Sequence, residues 1–355
     1  MKYFLIIILS FILLSCNEKD DKPADDTFNR SQMLSDYVEY YIIPNFAELN
    51  NEFVIFESIA LSIKDNSDNK KIDDLKNQFK KVYLSWQKVA MLNFGPSETY
   101  SLLNVINIFP SNKAKIIANI QNDENNLLSA INIDAIGLPC LDYLLFSDDE
   151  LLGNKFDDIK FKKYFLDVLQ LMKSRVDKVN SEWNGNYKVT FAENDGKSVG
   201  SGISMIVNSL NKYWEKDTRD GKLGIPIGIR TNGVVQIERS EAFYSNYSKE
   251  LLIAGVEAYI NFFKNNDKGL SLYDYLYARR NKYGDGKLHE TIMNNFTNIL
   301  ARLKSLNGDF KTNIENNKQE LISIYQDIQK QIVYLKVDMP SVLGVSITYQ
   351  DNDGD

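Results

Sequence analysis

Apolar residues recur along most of this chain at steps of three and four, the spacing that places side chains on one face of an α-helix. Leu49, Phe53, Phe56, Ala60 and Ile63 form one such stripe, and Leu75, Phe79, Val82, Trp86 and Val89 form the next. Two others run through Phe165, Val168, Met172, Val176 and Val179, and through Leu252, Val256, Tyr259 and Phe263. The last two run through Ile292, Phe296, Ile299 and Leu303, and through Leu321, Ile324, Ile328, Ile332 and Leu335. Sustained period-two alternation, the mark of a half-buried strand, is nearly absent. The pattern predicts an all-α protein. Long helices joined by short polar loops fold back on their neighbours, so two antiparallel helical bundles are expected, over residues 31–190 and 191–345. The turn-forming runs Asn184-Gly185-Asn186 and Glu193-Asn194-Asp195-Gly196-Lys197 mark the break between them. No short internal repeat is visible, which disfavours a solenoid.

One stretch departs from this pattern. Between Asp217 and Val235 the chain carries Gly221, Gly224, Gly228 and Gly233 together with Pro226. That density is expected to break a helix and form a long ordered loop, a feature usually tied to function or to a domain junction. The glycine spacing matches neither a P-loop nor a dinucleotide fingerprint.

The first fifteen residues, MKYFLIIILSFILLS, hold one lysine and an apolar run too short to span a bilayer comfortably, where roughly 20 residues are needed. This reads as a signal peptide. Its Leu-Leu-Ser-Cys ending resembles the lipobox of bacterial lipoproteins, which implies cleavage before Cys16 and a lipid on its thiol. Acyl chains contribute roughly 0.8 kcal/mol per buried methylene, so two or three of them anchor a protein without a span. Residues 16–30 are acidic, contain Pro23 and lack an apolar period, the composition of a tether. Asn17 after the cysteine argues against inner-membrane retention, and the Glu18-Lys19-Asp20-Asp21 run resembles a surface-export signal. The expected location is the cell envelope, lipid-anchored to the outer membrane, with the surface-exposed face and the inner face both left open. Residues 346–355 form an acidic tail.

About 340 residues remain after cleavage, enough for one large or two moderate domains. The net charge of -7 and the lack of any basic block argue against nucleic acid as a partner. Of the two cysteines, Cys16 is assigned to lipid, which leaves Cys140 without a disulfide partner.

The most unusual local sequence is IGLPCLDYLLF, from Ile136 to Phe146. Gly137 and Pro139 mark a helix start, with Asp142 near the positive end of the dipole. Read locally, this is a helix cap followed by a buried stripe of Leu141, Leu144 and Leu145.

The same segment resembles the signature of the imelysin family, Gly-x-His-x-x-Glu followed by Tyr-Leu-Leu. Pro139 stands at the histidine position and Asp142 at the glutamate. Three further stretches agree in order: SWQKVAMLNFGPSE around Trp86 and Pro96, LGIPIGIRTNGVVQIERSEAFYSNYSKELL from Leu223 to Leu252, and the C-terminal LGVSITYQDNDGD. Together they cover roughly residues 35–355. The resemblance implies two helical bundles around a cleft, an exported location and, in several members, a link to iron or haem acquisition. It also implies a peptidase label in some members, resting on the histidine and glutamate as metal ligands. Pro139 has no imidazole and can neither bind metal nor transfer a proton.

His289, the sole histidine, follows YGDGKL at a helix start and reads as a surface or capping residue. A conventional zinc site, which needs about three protein ligands, cannot be supplied. An all-oxygen site for a hard cation or ferric iron is open to Asp142 with Glu98 or Glu241 and tyrosine oxygens. Cys140 sits near a helix N-terminus, where a thiol can be activated, yet a cysteine hydrolase also wants a nearby histidine base. It reads as a small buried apolar residue.

Ligand contact is assigned to Asp142, Arg230, Glu241, Tyr244 and Tyr247. Arg230 could pair with a carboxylate or phosphate, or equally bridge to Asp142 and hold the bundles together. Glu241, Tyr244, Ser245 and Tyr247 are expected on a helix capped by Ser240 or a neighbour.

The anchor, the tether and the helical domain, taken with what the resemblance implies, lead to the expectation of a non-catalytic binding lipoprotein serving uptake of iron, haem or another small nutrient. Two alternatives stand beside it: a metallopeptidase of the imelysin type, and a helical surface scaffold that binds another envelope protein through its aromatic residues.

Overall fold

The computed structural model describes residues 27–124 and 126–349. The signal peptide, Cys16, most of the tether and the end of the acidic tail lie outside the described residues. Helix α1 (Arg30–Tyr37) passes through a wide π-helical turn, Val38–Ile42, into α2 (Ile43–Ser62), and α3 (Asn69–Val89) folds back along it. Four shorter helices follow: α4 (Pro96–Thr99), α5 (Leu102–Ile106), α6 (Lys113–Asn122) and α7 (Gly137–Phe146). The long α8 (Ile159–Asn184) packs on α2, and α9 (Tyr187–Glu193) packs on α1.

Helix α10 (Gly202–Tyr213) continues as a π-helix, Trp214–Gly224. After a turn-rich segment come α11 (Ser248–Phe263), α12 (Leu272–Ala278) and α13 (Leu288–Ser305). The described chain ends with α14 (Phe310–Asn316), α15 (Lys318–Val333), a π-turn at Tyr334–Asp338 and α16 (Met339–Leu343). No strand occurs among the described residues. None of their helices is long and apolar enough to cross a membrane.

The stripes read from the sequence are the faces that make the core. Leu49, Phe53, Phe56, Leu75, Phe79, Val82 and Trp86 are buried where α2 meets α3, and Phe165, Val168, Met172, Val176 and Val179 are buried on α8. In the second half, α13 packs on α11 and α15, which also meets the π-helix, and the Ile292, Phe296, Ile299 and Leu303 stripe is buried. Helix α11 also packs on α3, joining the two groups. A fully buried aliphatic or aromatic side chain contributes about 1.5–3 kcal/mol, so these faces dominate the stability. Among the described residues the core runs from Met33 to Val345, and a chain beginning at Thr27 keeps all of it.

The glycine-rich stretch differs from the loop expected of it. The helix does not break at Gly221 but carries on in π form to Gly224, and irregular turns begin only at Ile225. Each of the three π segments ends two residues before a proline, namely Pro44, Pro226 and Pro340. A proline ring clashes with the carbonyl four residues back, and a widened turn moves that carbonyl away. Gly224 is needed for close packing rather than flexibility. A Cβ there would lie 2.8 Å from Arg230 Cγ and from a Tyr325 ring carbon, and 2.9 Å from the Arg219 carbonyl oxygen.

Candidate functional site

Helix α7 starts at Gly137 because only glycine fits there. Its φ is +85°, and a Cβ would lie 2.6 Å from the Ile106 carbonyl oxygen. The helix therefore lies hard against the end of α5, and Gly137 through Leu145 are all buried. Pro139 lies in the first turn, where a missing N–H costs no helical hydrogen bond.

Three residues on, Asp142 points not at its own helix but at the turn before α11. Its carboxylate oxygens accept the backbone N–H of Tyr244 (2.8 Å) and of Ser245 (3.0 Å). Burial pushes this carboxyl up to about 6, against the lowering effect of those bonds. The Tyr244 ring packs on Tyr143 with centroids 5.0 Å apart, and the Tyr143 hydroxyl donates to Asp149 at 2.8 Å. The cleft between Phe109, Pro110, Pro139, Asp142, Ser240 and Tyr244 has a volume of about 20 Å³. That is space for about one water molecule.

Next to Asp142 lies a buried charged lock. Glu241 accepts from Lys222 Nζ at 2.7 Å, from the Gln87 amide at 3.0 Å and from the Asn107 amide at 2.8 Å. Lys222 also donates to Gln87 Oε1, and the Tyr83 hydroxyl donates to Asn107 at 2.6 Å. The π-helix contributes Lys222, α3 contributes Gln87 and Tyr83, the end of α5 contributes Asn107, and the turn segment contributes Glu241. A buried pair of opposite charges is stable only when its remaining lone pairs and protons are satisfied, and the two amides do that here. Asp217, one π-turn before Lys222, is pushed up to about 7, chiefly by burial, which Lys222 offsets and Glu241 reinforces.

The residues singled out from the sequence do not converge on one ligand. Glu241, Tyr244, Ser245 and Tyr247 lie in turns rather than on a helix, because α11 begins only at Ser248. Ser240 caps nothing; its buried hydroxyl has no partner, and Ser248 donates to the Glu241 carbonyl instead. Arg230 pairs with Asp220 at 3.2 Å rather than bridging to Asp142. Tyr247 is half-buried with Lys80 over its ring at 5.1 Å.

The oxygen set of Asp142, Glu98 and Glu241 is not assembled. Glu98 is exposed on α4 and lines a separate cavity of about 260 Å³ with Asn93, Asn208, Lys212 and Tyr349. No three His, Cys, Asp or Glu side chains come together to hold a metal among the described residues.

His289 is not a surface or capping residue. It is 4% exposed, between Tyr273 and Tyr277, whose rings meet it edge-on at 4.9 and 5.2 Å. Its Nδ1 has no partner, and burial lowers its pKa. Cys140 is fully buried, and burial pushes its thiol well up, which leaves it unactivated.

Lys222, Gln87 and Asn107 were missed as site residues. Lys222 stands in the glycine-rich stretch, where its neighbours suggest a solvated loop, and amides on apolar helix faces carry no motif. The available signal was polarity within an apolar stripe, since Gln87 directly follows the buried Trp86.

No curated protein matches the chain in sequence. Among solved structures, an imelysin-like protein from Psychrobacter arcticum 273-4 is similar at 15% identity and a TM-score of 0.69, covering 90% of this chain and 97% of that one. A protein from Parabacteroides distasonis ATCC 8503, described as a candidate iron-regulated protein A precursor, is similar at 13% identity and a TM-score of 0.75, covering 91% and 97%. At these identities the likeness shows the fold. The family model for imelysin, peptidase M75, matches residues 42–335, and the chain belongs to the imelysin family.

Proposed function

We propose that this imelysin-family chain is a non-catalytic binding lipoprotein of the cell envelope, anchored through Cys16, that serves acquisition of iron, haem or another small nutrient. The observation that carries this reading is the state of the signature. Pro139 replaces the histidine, and both oxygens of Asp142 accept backbone N–H groups from the turn at Tyr244 and Ser245. A zinc hydrolase needs about three protein ligands and an open position. The residues here do not fit that requirement, because the nearest acid, Glu241, is held by Lys222, Gln87 and Asn107. The signature thus acts as a clasp between α7 and the segment leading into α11. The iron-regulated description of the Parabacteroides neighbour supports the choice of cargo.

Calorimetric titration of residues 27–355 with ferric citrate and with haemin tests the reading. One-to-one binding of either supports it. Failure of both to bind rules out iron and haem as cargo. Anchoring is tested separately: Cys16→Ser should move the full-length chain from the membrane fraction to the soluble fraction, and unchanged membrane association would contradict it.

A further inference from the structure

A cavity of about 430 Å³ opens between α5, α8 and the segment 127–136, and it shares no lining residue with the signature cleft. Its size falls within the range of small-molecule sites, about 300–1,000 Å³. Val105, Leu127, Leu128, Ile133 and Ile136 form an aliphatic wall on one part of a lining that is otherwise largely polar. Leu128 is 53% exposed and the neighbouring Ile131 69% exposed, so the apolar surface continues outwards from the cavity.

Beside this aliphatic wall α8 delivers one guanidinium. Arg175 lines the cavity, and its Nε is buried with no hydrogen-bond partner. Three other arginines sit against a carboxylate: Arg219 and Arg230 on Asp220, and Arg302 on Glu320 and Asp327. Arg175 has no such ion pair among the described residues. The adjacent acid, Glu182, accepts the Tyr100 hydroxyl at 3.1 Å, and the Lys178 ammonium lies 5.7 Å from the Tyr100 ring centre. Ser101, which caps α5 without a side-chain bond, and Asn104 add neutral polar groups to the lining.

The buried, unpaired Nε of Arg175 is costly to leave without an acceptor, and the planar fork of N–H donors it belongs to matches a carboxylate. With one cation in the lining and an aliphatic wall beside it, the complementary ligand has one negative charge and an apolar body. We propose that this cavity binds a small organic monoanion, an aliphatic carboxylate whose head pairs with Arg175 and whose tail lies along Val105, Leu128 and Ile133. This site stands apart from the iron or haem reading and does not depend on it.

The test is calorimetric titration of residues 27–355 with octanoate, octanol and inorganic phosphate. Octanoate should bind one-to-one, octanol more weakly, and phosphate not at all. Arg175→Met should weaken octanoate binding at least about tenfold, in line with a charge-assisted pair, and Arg175→Lys should retain part of it. Leu128→Glu, at an exposed position, should abolish binding while leaving the helical circular dichroism unchanged, which guards against misfolding of the Arg175 variants. Absence of octanoate binding, equal binding by a folded Arg175→Met, or phosphate binding as tight as octanoate would each overturn the proposal.

Discussion

Lys222 Nζ stands 2.7 Å from Glu241 Oε2, and both side chains are about 98% buried or more. The pair joins the π-helix after α10 to the turn before α11, with Gln87 of α3 and Asn107 after α5 completing its hydrogen bonds. Removing one partner leaves an uncompensated buried charge, a cost of about 3–5 kcal/mol. Lys222→Met and Glu241→Gln should each destabilise the fold on that scale. The double variant should lose much less than the sum of the two. Urea denaturation of the four proteins measures the coupling, and strict additivity would show that the pair does not interact.

Gly137→Ala probes the seat of α7. Its φ of +85° and the 2.6 Å approach to the Ile106 carbonyl forbid a side chain. A left-handed non-glycine residue costs about 1–3 kcal/mol before any clash is counted. The thermal midpoint should therefore fall clearly. An unchanged midpoint would mean that α7 can move off α5.

How much of this was legible beforehand depends on the kind of signal. The stripe of Leu75, Phe79, Val82, Trp86 and Val89 announced its helix because burial imposes a 3.6-residue period on apolar residues. Gly137 and Pro139 marked the start of α7 by their backbone chemistry. The π-helix through Gly221 and Gly224 was hidden because glycine favours loops locally, while packing against Arg230 and Tyr325 selects it here for lack of a Cβ. Glu241 could be picked out as a buried-site acid, but its partners Lys222, Gln87 and Asn107 lie up to 154 residues away in the chain. Long-range polar pairing leaves no period to read. The burial of His289 is likewise set by tertiary packing, since the two tyrosines that enclose it both come from α12.

Asp217 gives a pH signature. Its folded pKa of about 7 lies above the ordinary 3.8, so the fold favours the protonated form. The associated stability is fully present below pH 3.8 and is lost as pH rises through about 7. Asp217→Asn mimics the neutral acid. It should be more stable than the parent at about pH 8, with the advantage gone near about pH 4. Thermal melts at the two pH values decide this, and a constant difference between the proteins would contradict it.

His289 acts with the opposite sign. Its folded pKa lies below 6.5, so its stability is fully present above 6.5 and is lost as pH falls towards the folded value. His289→Phe keeps a ring between Tyr273 and Tyr277 and removes the unpartnered Nδ1. It should lessen the loss of thermal stability between about pH 7 and about pH 5. An unchanged pH dependence would show that His289 does not contribute.

On the proposed reading, the altered signature clasps the fold and cleaves nothing. The most direct test is mass-spectrometric detection of cleavage when residues 27–355 are incubated with a mixed peptide library and zinc, with and without chelator. The account predicts no chelator-sensitive cleavage. Cleavage that a chelator abolishes, and that Asp142→Ala also removes in a folded protein, would contradict it.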